Sequence, residues 1–463
     1  MKRTIANIIF KYSKVIIIMF LAFIGLKCIG YMMPTDIIRE HIDASVNQIK
    51  EEGLGYKVFN NTDTVFFGQQ LDNWTDSIYL NAAYSFGDHT LMERVAGDFR
   101  IVNSKATNEI ENFTLGLTEG GEILHYARQW FGCISILRIL LTIFTYPEIR
   151  IISQMLFTVL LFITSNLIRK KVDNITSIAF FLAIVFGNLP VLSASINIAN
   201  SFYVILISAI IVVFYYPKTY DTALCMFIVG ALTCYFDLFV TPLLSYVFIM
   251  GLLLIMEFKN NANRDFLHYL KKTILGSIGW IMGYFLLWIP KWIFASIVLK
   301  QNLFSDVINE MSKMSAVGTI PWAPTTRTGL IRASVLLNME NMFPNNIIVI
   351  LTSRLNVLFD IILLIMLFGF IMAVVIDIKN NGKKNIALIL LLVSISPYVW
   401  YIIIHTHSFV HYWMTYRLQC GTTFLLLCIM GYGVSGMKAL FKDLVKNRKT
   451  ILHQITNRSD TKI

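Results

Sequence analysis

The sequence predicts an all-α, polytopic membrane protein with about ten transmembrane helices and a large first extracytoplasmic loop that contains interfacial helices. Of its 463 residues, 56% are hydrophobic and 14% are charged, and the mean hydropathy is +0.64. Soluble domains carry about 25% charged residues, so this composition is typical of a chain that lies largely in lipid. The apolar residues also form runs of roughly 20, the length that a helix needs to cross a bilayer. Because backbone groups in lipid must pair within the chain, we expect these runs to be helices.

Ten apolar runs predict the spanning helices. They cover residues 15–33, 149–168, 175–193, 197–216, 222–236, 238–257, 273–298, 357–378, 385–404 and 414–436. The stretch 222–257 allows two interpretations, either two short helices broken around Asp237 or one long helix kinked at Pro242. The first run is longer than the apolar core of a signal peptide and no small-residue cleavage site follows it, which predicts a retained signal-anchor helix.

The basic residues predict the orientation of these helices. The net charge is +11, and the cations gather in alternate turns and in the tail, at Arg169, Lys170, Lys171, Lys218, Lys259, Arg264, Lys271, Lys272, Lys379, Lys383, Lys384 and from Lys438 onward. The positive-inside rule therefore predicts a plasma-membrane protein with both termini in the cytoplasm. Cations confined to such turns do not favour binding of nucleic acid.

A single membrane domain, residues 1–463, is expected, because no fixed-period repeat divides the chain. Two long segments, 34–148 and 299–356, remain for the outer face, and residues 437–463 form a basic cytoplasmic tail. Within the first outer loop, the stretch 122–146 mixes tyrosine, tryptophan and arginine with apolar residues. This pattern predicts a helix that lies in the membrane interface.

The run at 69–84 holds the predicted catalytic residues, Asp76 and Asp72. Acids four residues apart lie on the same side of a helix, and a carboxylate at the outer membrane surface can act as general base toward an acceptor hydroxyl. Two alternatives stay open, namely that the pair holds a divalent cation or that it only caps the helix. No other cofactor is indicated, and no metal site is predicted, because the six cysteines are scattered.

Cations near the predicted outer face are candidate ligands for a phosphate group. Arg417 lies at the end of an apolar helix, where a buried guanidinium needs a partner, and its geometry suits phosphate. The predicted phosphate-binding residues are Arg417, Lys291, His407, His411, Arg128 and Arg138, and Asp237, Tyr416 and His405 are further site candidates. The structural alternatives are contact of these side chains with lipid headgroups, or an ion pair of Arg417 with an acid such as Asp72.

The layout resembles the GT-C superfamily of integral-membrane glycosyltransferases, and the likeness in residues lies mainly in Leu71-Asp72-Asn73-Trp74-Thr75-Asp76. Segments 126–130, 235–239 and 407–417 are similar to parts of uncharacterised bacterial membrane proteins with this layout. The resemblance implies a polyprenyl-phosphate sugar donor, Asp76 as base with Asp72 next, and Arg417 on the donor phosphate. No Asp-Glu or Glu-Asp pair follows the first helix, so the choice of base stays open.

The sequence thus leads us to expect a hexosyl- or pentosyltransferase that acts at the outer face of the membrane. It would move a sugar from a polyprenyl-phosphate donor to a cell-envelope glycan or polysaccharide, with donor, acceptor and membrane lipid as its partners. One alternative is a flippase or transporter of a polyprenyl-linked glycan, although the internal repeats that transporters often show are not detected. Another is an envelope glycan polymerase or ligase, which would share the same outward site.

Overall fold

The computed structural model describes residues 2–55, 70–216, 221–261, 264–318, 320–342 and 386–433. The predicted span 357–378 and the predicted tail 437–463 lie outside the described residues. The described chain is mostly helical. The helices are α1 (Lys2–Met32), α2 (Thr35–Glu52), α3 (Asn73–Tyr84), α4 (Leu91–Gly97), α5 (Glu109–Glu119), α6 (Cys133–Leu140), α7 (Tyr146–Lys171), α8 (Asn174–Val185), α9 (Leu189–Ala194), α10 (Ile196–Tyr215), α11 (Thr222–Phe236), α12 (Pro242–Asn260), α13 (Phe266–Leu286), α14 (Trp288–Leu299), α15 (Leu303–Lys313), α16 (Arg327–Met342), α17 (Ile386–Ser394), α18 (Ser396–Ile403), α19 (His405–Val410), α20 (Tyr412–Thr415) and α21 (419–433), with a 3₁₀ turn at Tyr416–Leu418.

Several of these helices are long and apolar enough to cross a membrane. The described residues contain 6 such segments, at Ile9–Met32, Tyr146–Lys171, Ile196–Tyr215, Pro242–Asn260, Phe266–Leu299 and Ile386–Ile403. Each coincides with a predicted span, so the mostly helical membrane architecture is confirmed. The apolar helices α8 and α11 are shorter, and the predicted spans at 175–193 and 414–436 are interrupted. The total of ten spans stays a prediction.

The stretch 222–257 forms two helices, α11 and α12, which is the first of the two interpretations. Asp237 ends α11, and its carboxylate accepts hydrogen bonds from the Ser201 hydroxyl and from the Thr241 backbone N–H at 2.9 Å. Phe239 has a φ of +61°, a left-handed conformation that a helix cannot contain. Pro242 then starts α12 at its first position, where a missing N–H costs nothing.

Helices α11 and α13 pack at very short range because glycines line their contact. A Cβ added at Gly279 would lie 2.2 Å from the Ala223 carbonyl oxygen, and one at Gly283 would lie 2.0 Å from that of Phe227. The spacing of these two glycines is the small-xxx-small pattern that lets helix backbones approach in membranes. The close packing of α13 therefore helps to fix α11, although α11 is short for a membrane span.

Replacing Gly283 with Ala is expected to destabilise the protein by about 1–3 kcal/mol, because an overpacked interface forces backbone shifts. Denaturant titration in detergent micelles measures the change. Gly25 on α1 provides a matched control, since no atom lies within 4 Å of an added Cβ there. Gly25→Ala should leave the stability equal or slightly raised, since alanine favours helix. Equal stability of both variants would contradict the close-packing argument.

The described part of 34–148 contains a short sheet as well as helices α2 to α6. Strand β1 (Arg100–Val102) pairs antiparallel with β2 (Glu122–Leu124), with Ile101 opposite Ile123. This two-stranded sheet is an addition to the predicted, mostly helical class, and within the predicted interfacial stretch 122–146 the helical portion is α6. The side-chain amide of Asn81 pairs with the Ile101 backbone as a neighbouring strand would. It donates to the Ile101 carbonyl and accepts from the Ile101 N–H, both at 2.8 Å.

Two apolar cores hold these parts together. The larger core lies among the long helices and includes Phe180, Phe202, Phe248 and Phe424. The second core lies where α2, α3 and α6 meet the start of α7 and contains Ile38, Tyr79, Phe113, Ile134 and Tyr146. This second core positions α3, and with it the two predicted catalytic aspartates, against the ends of the long helices.

Candidate functional site around the start of α10

Asp72 caps helix α3 and also contacts the start of α10. Its Oδ1 atom accepts a hydrogen bond from the Thr75 backbone N–H at 3.0 Å, which is the usual role of an N-cap aspartate. Its Oδ2 atom accepts a second one from the Asn197 Nδ2 at 2.6 Å. The carboxylate is fully buried. Asp72 therefore joins two segments of the chain that are far apart in sequence.

Asp76 holds the first turn of α10. Its carboxylate accepts hydrogen bonds from the Tyr146 hydroxyl, from the Ser195 hydroxyl at 3.3 Å, and from the backbone N–H groups of Ile196 and Asn197 at 3.2 and 3.0 Å. These N–H groups have no partner inside the helix, and the helix dipole favours an anion at this end. The geometry gives Asp76 a clear structural role as the anchor between α3 and α10.

The two carboxylates affect each other's charge. Burial, and secondly repulsion from the negative charge of Asp72, together raise the pKa of Asp76 to about 7. Burial also raises the pKa of Asp72, while hydrogen bonds from Thr75 and Asn197 and the positive charge of Arg417 oppose the rise. Two buried carboxyl groups this close share protons as a pair. The pair can thus hold or release a proton near neutral pH.

A buried ion pair supports this arrangement from the side of α7. The Arg150 guanidinium donates to both carboxylate oxygens of Glu52, at 2.9 and 2.7 Å, and to the Asn73 side-chain oxygen at 2.5 Å. It also stacks on the Tyr146 ring, 4.4 Å from the centroid. Since Asn73 follows Asp72 and Tyr146 bonds Asp76, Arg150 fixes the position of both aspartates.

Arg417 reaches the same region from the 3₁₀ turn before α21. It is fully buried, and its Nε donates to the Gly187 carbonyl at 2.9 Å while its Nη1 donates to that of Trp413 at 3.2 Å. Its guanidinium also lies over the Tyr416 ring, 4.6 Å from the centroid. Gly187 belongs to the break between α8 and α9, where the carbonyl is free of helix bonding. The sequence-predicted partners Asp72 and Arg417 are thus brought within electrostatic range of each other.

Asp237, at the end of α11, contacts α10 one turn beyond Asn197, where it accepts a hydrogen bond from the Ser201 hydroxyl. His407 contacts the turn that follows Asp237, with its Nε2 3.1 Å from the Phe239 carbonyl oxygen. The ring centroids of His407 and His411 are 4.6 Å apart. Burial lowers the pKa of His407 to about 4 and that of His411 to about 3, the latter with a contribution from His407. Both rings are therefore neutral at pH 7 and supply no positive charge for a phosphate.

The further candidate His405 and the predicted cations Lys291, Arg138 and Arg128 have partners other than the two aspartates. The Nδ1 of His405 is 3.2 Å from the Ile402 carbonyl oxygen. Lys291 is buried and donates to the Ala96 carbonyl at 2.7 Å. Arg138 is buried too, and it donates to the carbonyls of Gly30 and Ala83 and to the Thr35 hydroxyl. Arg128 is half-buried, 3.9 Å from Glu310.

Several residues of the site were not selected by the sequence reasoning. Tyr146, Arg150 and Asn197 all lie at or just before the start of a predicted apolar run, where polar residues are ordinary helix-end features. Arg150 carried the clearest signal, because an arginine inside an apolar run usually has an acidic partner. Its partner Glu52 is 98 residues away, so spacing along the chain could not identify the pair.

An apolar groove of about 400 Å³ begins beside the site, between α6, α7, α10 and α11. It follows α7 from Ile149 to Leu160 and α10 from Ile196 to Ile207, about 16 Å of helix at 1.5 Å per residue. One end of the groove is the turn of α10 that Asp76 binds. Leu156 is 50% exposed and Ile207 is 46% exposed, so the groove opens on the apolar outer surface of the helices.

No family model matches the chain, and comparisons with curated proteins and with solved structures found no match either. Within the residues that the structure describes, no group of three or more histidine, cysteine, aspartate or glutamate side chains is arranged to hold a metal ion. The functional assignment therefore rests on the residues around α10 themselves.

Proposed function

We propose that the protein is a glycosyltransferase that moves a sugar from a polyprenyl-phosphate donor to a cell-envelope glycan. The observation that carries the proposal is the meeting of three features at the start of α10. They are a buried carboxylate pair that titrates near neutral pH, the guanidinium of Arg417 whose positive charge acts on Asp72, and an apolar groove that leads away along α7 and α10. A lipid-linked anionic donor needs an apolar channel and a cation, and transfer to a hydroxyl needs a base.

In this proposal Asp72 is the base, which reverses the order of the two aspartates suggested by the sequence. An ionised carboxylate has about four acceptor positions. Asp76 uses four with Tyr146, Ser195 and the two backbone N–H groups. Asp72 accepts three, from the Thr75 backbone N–H, from the Thr75 hydroxyl and from Asn197. Asp72 therefore retains capacity to accept the proton of an acceptor hydroxyl, while Asp76 positions the helix and tunes the charge of its neighbour.

The donor would lie with its isoprenoid chain in the groove and its phosphate near the start of α10. The groove and Arg417 flank the same end of this helix, and Arg417 would neutralise the leaving phosphate as the sugar departs. The hydroxyl oxygen of the acceptor forms the new bond to the sugar, its proton passes to Asp72, and the bond from sugar to phosphate oxygen breaks.

Envelope glycans from a deletion strain and its parent provide the direct test of the proposed activity. We expect the deletion strain to lose one sugar substituent, and the purified protein in vesicles to release polyprenyl phosphate from a lipid-linked sugar only when an acceptor is present. Unchanged glycans together with an accumulated lipid-linked intermediate would contradict the transferase and indicate transport.

Transport of a polyprenyl-linked glycan is the second candidate, and the helix breaks favour it. The chain is interrupted between α8 and α9 and again at 237–241, next to the same site. Transporters bind substrates at discontinuous helices of this kind. A flippase would need no proton acceptor, so replacement of Asp72 with Asn should leave translocation of a labelled lipid between the leaflets intact. This outcome would separate the two candidates.

The pH dependence of transfer should report the carboxylate pair. Transfer needs ionised Asp72, so the rate should rise with pH through the titration of the pair. Replacing Asp76 with Asn removes a neighbouring negative charge, which favours ionisation of Asp72 and should move the rising limb about one pH unit lower. Asp43→Asn, at an exposed acid of α2, is the control and should leave the dependence of the transfer rate on pH unchanged. An unshifted profile in Asp76→Asn would contradict the coupling.

A further inference from the structure

Helix α15, which follows the long segment α13–α14 after a turn of three residues, carries an exposed apolar stripe. The stripe consists of Phe304, Ile308 and Met311, which are 40%, 66% and 49% exposed. These positions are four and three residues apart, so they lie on one side of the helix. Polar residues occupy the opposite side, among them Asp306, Asn309 and Lys313. The helix is thus amphipathic; within its exposed stripe the Phe304 ring contacts Trp292, with ring centroids 5.8 Å apart, while Ile308 and Met311 belong to no core cluster of the described residues.

The direction of this stripe is fixed by the protein. Leu303 and Val307 are buried, and Leu303 packs against Ala96, Ala127 and Ala295. The Glu310 carboxylate lies 3.9 Å from the Arg128 guanidinium. After α15, the carbonyls of Met314 and Ala316 accept hydrogen bonds from the backbone of His407 and from the Thr406 hydroxyl, at 3.2 and 2.7 Å. The helix therefore cannot rotate freely to hide its apolar side.

Helix α14, which precedes α15 in the chain, also exposes apolar side chains. Ile293 and Ile297 on α14 are 46% and 71% exposed, and they belong to the apolar segment Phe266–Leu299, which is long enough to span a membrane. Since only three residues separate α15 from the end of that segment, it starts at the level where the span leaves the lipid. Trp322, which follows α15 in the chain, is 77% exposed, the highest value among the large apolar side chains of the described residues, and tryptophan favours this interfacial level.

We infer that α15 is an interfacial helix that inserts Phe304, Ile308 and Met311 into the surface of the lipid bilayer. An amphipathic helix with one large apolar side lies in the plane of the interface and buries that side among the acyl chains. The interfacial helix that the sequence places at 122–146 stays a prediction, and α15 would be a further one. Through Met314 and Ala316 the inserted helix also holds α19, the helix that carries His407.

Fluorescence quenching in vesicles tests this inference. Ile308→Cys and Asn309→Cys, each in the full-length protein and labelled with an environment-sensitive fluorophore, are reconstituted in phosphatidylcholine vesicles. The two positions are about 100° apart around α15, with Asn309 on the polar side, and Ile308 is exposed enough for the change to leave the core intact. Labelled parent protein corrects for the six native cysteines.

We expect lipids with brominated chains to quench the label at 308 several-fold more strongly than the label at 309, and iodide in the water to show the reverse order. Equal quenching of both labels by iodide would place the stripe in water and overturn the inference. Protection of the label at 308 from both quenchers would overturn it as well, because the stripe would then be covered by protein, either residues 343–385 or a second copy of the chain.

Discussion

Replacing Asp72 with Asn is expected to reduce sugar transfer by a factor of about 10²–10⁴, the usual contribution of a general base. The protein should remain folded, because asparagine is as good an N-cap as aspartate and its oxygen can still accept from the Thr75 N–H. The measurement is the rate of sugar transfer from a lipid-linked donor by the purified protein in vesicles, together with its melting temperature in detergent.

Asp265 offers a matched control for this experiment. It caps α13 in the same way, accepting from the His268 N–H at 3.0 Å, and it is exposed. Asp265→Asn makes the same chemical change at the same type of helix position and should retain full transfer. If Asp72→Asn also retains full transfer, Asp72 is not the base. If Asp72→Asn is inactive and unfolded, Asp72→Glu separates the two effects, because it restores the carboxylate.

Replacing Arg150 with Leu is expected to destabilise the protein by about 3–5 kcal/mol, the cost of leaving a buried ion without its partner. Glu52 and Arg150 have only 8% and 7% of their side-chain surface exposed, so water screens the pair little. The free energy of unfolding, measured by denaturant titration in detergent micelles, should fall by that amount. Transfer should fall as well, because Asn73 and Tyr146 lose the group that positions them.

The double variant Glu52→Leu/Arg150→Leu distinguishes an unpaired charge from a general loss of packing. Removing both charges should recover most of the stability lost in Arg150→Leu, since buried pairs can be replaced by apolar residues at little cost. Arg169→Leu, at the exposed far end of the same helix, should have little effect. A double variant as unstable as the single one would show that the ion pair does not explain the loss.

The sequence predicted those features that depend on local composition. Low charge and apolar runs identified the long helices, and Asp237 correctly marked the break between α11 and α12. The roles within the site depend on contacts between distant residues. Asp72 meets Asn197 across 125 positions, and the donors to Asp76 come from two other helices. Spacing on α3 could therefore locate the aspartates but could not show which of them accepts more hydrogen bonds.

The predicted cations illustrate the same limit. Lys291 and Arg138 looked similar to Arg417 in the sequence, since each is a charge in an apolar stretch. In the structure all three bind backbone carbonyls, and the charge of Arg417 in addition acts on Asp72. An apolar neighbourhood indicates that a cation will have a partner, but it does not show which carbonyl the cation binds or which acid lies within range of its charge.

The bond between Asp76 and the first turn of α10 has a consequence for biosynthesis. The Asp76 carboxylate and the Asn197 N–H are separated by 121 residues, so α3 is translated long before the helix end that it caps. Contacts of such long sequence separation form late and slowly. Until α10 has been inserted, α3 lacks this attachment, and residues 34–148 would be most open to proteases and chaperones during that interval.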